Sequence, residues 1–125
     1  MSPQRISVGF GVVYLLVGIL GFIPGITTPQ GLLLGIFAVN PIHNLVHLVV
    51  GAVLVWAGMS ALETTVSVNK VLAVVFALLV VASFLAPIAE GVAINPPDTV
   101  LHLVSALLTG YLGFGAARAL ATGRS

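Results

Sequence analysis

Cysteine is absent from the 125-residue chain. That excludes disulfides, thiolate-held zinc, iron–sulfur clusters and thiol nucleophiles. Charge is nearly absent too: Lys, Arg, Asp and Glu make up 6% of residues against 59% hydrophobic, where a soluble domain carries roughly a quarter charged. So few charges would leave large apolar patches on a soluble surface, so a soluble globular protein is excluded. A formal net charge of +1 offers no basic field for nucleic acid. There is no glycine-rich phosphate loop and no Gly-x-Ser-x-Gly elbow, and the lack of a complete catalytic set points away from an enzyme.

What is present is long apolar sequence punctuated by isolated charges. Arg5, Glu63, Lys70, Glu90, Asp98, Arg118 and Arg124 leave uncharged runs over 6–62, 71–89 and 99–117. A bilayer core takes about 20 apolar residues per helix, so the long run holds two spans and each short run one. The expected fold is all-α: an integral membrane four-helix bundle forming a single domain over 1–125. The first helix covers 6–23 and stops at Pro24-Gly25. It is kept as a mature helix because no small-x-small cleavage signal follows Ile23. The second opens at Asn40-Pro41 and continues to Leu62, and a polar turn follows over 63–70. The third ends near Pro87, and the fourth runs from Asn95-Pro96 to Ala121. Asn as cap with Pro at the first helical position is a helix-start signal, because that proline's missing N–H has no helical partner to lose. Residues 31–39 are apolar but too short to span, which predicts a short interfacial helix between the first two spans.

With an even number of spans, Arg5, Lys70, Arg118 and Arg124 share one side, and Glu90 and Asp98 lie on the other. The positive-inside rule then places both termini in the cytoplasm and the loops 24–40 and 87–95 outside a cytoplasmic membrane.

The helix starts also align with one another. Asn40-Pro41-Ile42-His43-Asn44-Leu45-Val46-His47-Leu48-Val49 matches Asn95-Pro96-Pro97-Asp98-Thr99-Val100-Leu101-His102-Leu103-Val104 without gaps. Gly21-Phe22-Ile23-Pro24 echoes Ser83-Phe84-Leu85-Ala86-Pro87. Two parallel two-helix repeats, about 5–62 and 70–121, follow from this. His47 and His102 then sit at equal depth, about 9 Å past the initiating prolines.

His43 and His47, like Asp98 and His102, are four residues apart and share a helical face. Asp98, His102, Ser105 and Thr109 form one polar stripe, which in a membrane helix turns toward the bundle interior. Three roles fit these residues. In the first, which the sequence favours, His43 and Asp98 cap helix starts and the other histidines hydrogen-bond across the bundle. In the second, His43, His47, Asp98 and His102 hold a transition metal such as Zn, Cu(II) or Fe(II). In the third, His47 and His102 ligate haem b from facing helices. Trp56, Tyr14 and Tyr111 are expected to pack or anchor, and the dispersed glycines allow close helix approach.

Gly21-Phe22-Ile23-Pro24-Gly25, His43-Asn44 with His47-Leu48, and Asp98 with Leu101-His102-Leu103 resemble a family of small actinobacterial four-helix membrane proteins classed as a domain of unknown function. The resemblance covers nearly the whole chain and implies a fold and topology but no activity. In layout the chain is more distantly similar to DoxX-type membrane proteins, some of which are associated with redox systems. The expected function is a structural or accessory subunit, partnered in the lipid bilayer by another membrane protein or a second copy. The alternative is a metal- or haem-binding redox accessory protein with a His/Asp site near the extracytoplasmic face.

Overall fold

The computed structural model describes residues 2–85 and 95–115. Within them the chain forms α1 (Pro3–Leu20), a two-stranded hairpin of β1 (Leu32–Leu33) and β2 (Phe37–Ala38), α2 (Pro41–Gly58), α3 (Leu62–Leu85) and α4 (Pro96–Gly110), which continues into a π-helical turn at Tyr111–Gly115. The protein is thus mostly helical. α1, α2 and α3 are long and apolar enough to cross a membrane.

Helix starts follow the local chemistry of the sequence. Ser2 Oγ accepts the Arg5 N–H at 3.2 Å, so α1 begins at Pro3 rather than at residue 6. Asn40 Oδ1 accepts the His43 N–H at 2.8 Å. Asn95 and Asp98 form a reciprocal capping box: the Asp98 N–H donates to Asn95 Oδ1 at 3.2 Å and the Asn95 N–H to Asp98 Oδ2 at 3.0 Å. Each bond satisfies a donor that the helix geometry leaves without a partner.

Two expectations are corrected. Residues 31–39 form a hairpin rather than an interfacial helix, with Leu32 opposite Ala38 and Leu33 opposite Phe37. Its turn carries Leu34 and Gly35 at φ 54° and 73°, a positive-φ pair that reverses a chain tightly and that a helix cannot contain. Hydrogen bonds from Leu34 N–H to Ile26 O and from Val39 N–H to Gly31 O satisfy backbone that would otherwise be stranded. The polar stretch 63–70 is not a turn. α2 stops at Gly58, the connection is only 59–61, and the polar residues belong to α3. They turn inward: Thr65 Oγ1 donates to Ala57 O at 2.7 Å, and Asn69 Nδ2 donates to Ser7 Oγ at 3.2 Å. Pro87, Glu90, Arg118, Arg124, the expected loop 87–95 up to residue 94, and the expected fourth helix beyond residue 115 lie outside the described residues.

Small residues set the helix separations. A Cβ on Gly11 would stand 2.7 Å from the Gly51 carbonyl oxygen, and one on Gly51 2.8 Å from that of Gly11, so α1 and α2 touch backbone to backbone. At the other hairpin of helices, a Cβ on Gly113 would lie 2.5 Å from the Lys70 backbone nitrogen. Such contact brings many atoms within van der Waals range, which is the main source of helix association where lipid removes the hydrophobic drive. The burial pattern agrees. Val13, Leu16, Val49, Val71, Leu78, Val100 and Leu107 face outward, while Ser7, His43, His47, Thr65, Asn69, Asp98, His102, Ser105 and Thr109 are buried. A surface built this way suits hydrocarbon and not water.

Candidate metal centre

α2 and α4 each begin at a capped Asn-Pro pair, so their first two turns enter the bundle at the hairpin end. On α2, the i, i+4 spacing brings His43 Nε2 and His47 Nε2 to 2.9 Å, within hydrogen-bond range. His102 reaches the same point from α4. One nitrogen from each of the three rings lies within 4.8 Å of the other two, and all three residues are buried. Three imidazoles on one zinc ion, each about 2.0–2.1 Å from it, would have nitrogens roughly 3.4 Å apart. Small side-chain rotations therefore convert the observed triangle into a coordination face. His47 Nδ1 and His102 Nδ1 are buried with no hydrogen-bond partner among the described residues.

Aromatic rings clamp this triangle. Tyr14 of α1 lies parallel to His47, with centroids 4.6 Å apart and planes inclined by 8°. Phe76 of α3 stacks on His102 at 6.0 Å and 29°. Tyr14 Oη and Ser105 Oγ are 2.6 Å apart, and Ser105 Oγ also donates to Leu101 O at 2.8 Å. Because a serine hydroxyl has one proton, Tyr14 is the donor in its bond to Ser105. From sequence, Tyr14 has only a packing or anchoring role; the fold places it against a candidate ligand.

Asp98 plays a different part from the three histidines. Its carboxylate accepts the Asn95 N–H and the Ala38 backbone N–H, and it acts electrostatically on His43. Asn95 Nδ2 in turn donates to Ile36 O at 2.8 Å. The start of α4 is thereby latched to the hairpin. The structure brings His43, His47 and His102 together, and Asp98 stands apart from that group as a cap on the start of α4.

The whole constellation falls within a matched stretch of sequence. Residues 4–115 match a family described as Domain of unknown function (DUF4383). The chain belongs to this family. No curated protein and no solved structure matches it. The DUF4383 match spans every residue of the histidine cluster and its aromatic clamp. It also spans a second buried polar group at the opposite end of the bundle, where Ser7 Oγ donates to Leu54 O at 2.8 Å and Asn69 Nδ2 donates to Thr65 O at 2.9 Å. Nothing in the sequence stood out at Ser7. Asn69, in the stretch whose polarity predicts a turn, is fully buried.

The haem alternative concerns His47 and His102, whose ring centroids lie 6.4 Å apart. Bis-histidine ligation requires two imidazoles on opposite faces of one porphyrin plane. His43 contacts His47 directly, and its ring centroid lies 6.2 Å from that of His102. His43 thus adjoins both of the other rings.

Proposed function

We propose that this protein is a multi-pass component of the cytoplasmic membrane that holds one transition-metal ion between His43, His47 and His102 near the outer face. The convergence of three buried ring nitrogens within 4.8 Å carries this reading. Hydrogen bonds among the described residues leave His47 Nδ1 and His102 Nδ1 without a partner, so the rings are only partly satisfied as packing groups. A buried unpaired polar atom costs about 1–3 kcal/mol, which a bundle selected for packing alone would avoid with apolar side chains. Neutral imidazoles suit Zn, Cu and Fe, and three protein ligands leave an open coordination position.

Four spans, with both termini inside, complete the proposal. Arg5 and Lys70 lie toward the end opposite the hairpin, in keeping with a cytoplasmic inner face. Corresponding contacts support descent from two parallel repeats of one domain. Tyr14 on His47 pairs with Phe76 on His102, and Gly58 against Val8 pairs with Gly113 against Lys70. In this reading the protein is an accessory subunit, acting beside another membrane protein or a second copy, and any redox role follows from the ion it holds.

Metal analysis of the protein purified from membranes tests the reading. Close to one ion per chain, lost in both His47→Ala and His102→Ala, is expected. A metal-free wild type that cannot be loaded, or equal loading in both variants, would refute it.

A further inference from the structure

A cavity of about 150 Å³ opens beside the histidine triangle. His43, His47, His102, Tyr14 and Phe76 form its inner end, while Val46, Val50, Leu72, Val75 and Leu79 form its walls. Val46 and Val75 are 46% and 42% exposed, so the walls reach the outer surface of the bundle between α2 and α3. The position of this gap has a cause. None of the close glycine contacts among the described residues joins α2 to α3; they tie α1 to α2 and α3 to α4. Branched side chains hold α2 and α3 apart, and an opening remains on a face turned toward lipid.

The lining restricts what could occupy it. Beyond the three imidazoles at its inner end, the cavity is lined by uncharged, apolar side chains, which disfavours an ion in its outer part and gives water few partners. An apolar cavity of this volume accommodates a benzene-sized ring. Tyr14 and Phe76 offer aromatic surfaces for such a ring at offset or edge-on geometry. At the inner end, imidazole nitrogens, or an ion held by them, require a polar atom on the visitor.

We propose that this cavity is a lateral binding site for a small aromatic alcohol of the phenol class, drawn from the lipid phase. The ring rests against the edge-to-face pair of Tyr14 and Phe76, whose centroids lie 5.7 Å apart, and the hydroxyl oxygen meets the histidine cluster. The inference rests on the metal reading only for the identity of the oxygen's partner. With an ion bound, the oxygen takes the open coordination position; without one, the hydroxyl donates to an imidazole nitrogen.

The test uses the full chain in lipid nanodiscs, zinc-loaded and metal-free, with phenol and benzene as probes and the ¹⁵N imidazole resonances as readout. Phenol should produce saturable shifts, and benzene should bind about three- to tenfold more weakly, the loss of one hydrogen bond. Val50→Phe and Val75→Phe, which fill the walls without touching a ligand, should abolish saturation while keeping zinc and the helical circular dichroism of the wild type. Non-saturating shifts that are the same in the wild type and Val50→Phe, with zinc still bound, would overturn the cavity and leave the metal reading standing. Saturable phenol binding in a protein that never takes up zinc would support the cavity and refute the metal reading.

Discussion

Tyr14 lies face to face with His47, 4.6 Å between centroids and 8° from parallel, and its hydroxyl is fixed by Ser105 at 2.6 Å. α1 thereby sets the plane of a ring that α2 supplies. An imidazole stacked on a neighbour whose own hydroxyl is tied down would lose little further freedom on binding a metal ion.

Replacing Tyr14 separates the two parts of this support. Tyr14→Phe keeps the stack and removes one hydrogen bond, leaving Ser105 satisfied through Leu101 O. It should cost about 0.5–1.5 kcal/mol with metal stoichiometry retained. Tyr14→Ala opens a cavity and should cost about 3–5 kcal/mol. Denaturant titration in detergent, with metal analysis of the folded fraction, distinguishes the two.

Asp98 is expected to behave as a positioning residue. Asp98→Asn should weaken zinc binding by about 10–100-fold, as loss of a second-layer partner does, and weaken the α4 cap by about 0.5–2 kcal/mol. His102→Ala should abolish stoichiometric binding. Equal loss in the two variants, measured by competition with a chelating dye, would make Asp98 a direct ligand.

Glycine positions give a stability contrast. A Cβ on Gly58 would stand 2.5 Å from the Gln4 carbonyl oxygen, whereas nothing lies within 4 Å of one on Gly9. Gly58→Ala should therefore force α1 away and cost about 1–3 kcal/mol. Gly9→Ala, on α1 and facing open space, should be neutral or stabilise by up to about 1 kcal/mol. Unfolding curves that place the two variants together would contradict the backbone contact.

These cases show what was legible in the sequence. Caps at Asn40 and Asn95 were readable because capping is local: the bonding groups are three residues apart. The i, i+4 histidines were readable for the same reason. The hairpin was not, because its turn depends on Leu34 adopting a positive φ that leucine rarely takes. Residues 63–70 misled because polarity signals a water-facing turn in most chains, whereas here Thr65 and Asn69 satisfy backbone and side-chain groups inside the bundle. For Tyr14 the sequence carries only a faint signal: the offset aligning Phe22 with Phe84 also places Tyr14 on Phe76.

Topology can be read with single cysteines, since the chain has none of its own. Pro29→Cys, exposed near the hairpin, should react with an impermeant maleimide in intact cells. Ser2→Cys, at the start of α1, should react only after the membrane is opened. The reverse pattern would invert the proposed orientation.

X-ray absorption spectroscopy of the zinc-loaded protein tests the central claim most directly. Three imidazole nitrogens at about 2.0–2.1 Å, with the imidazole signature reduced in His47→Ala, are the predicted result. A zinc shell without imidazole scattering, or one unchanged in that variant, would contradict a metal centre at His43, His47 and His102.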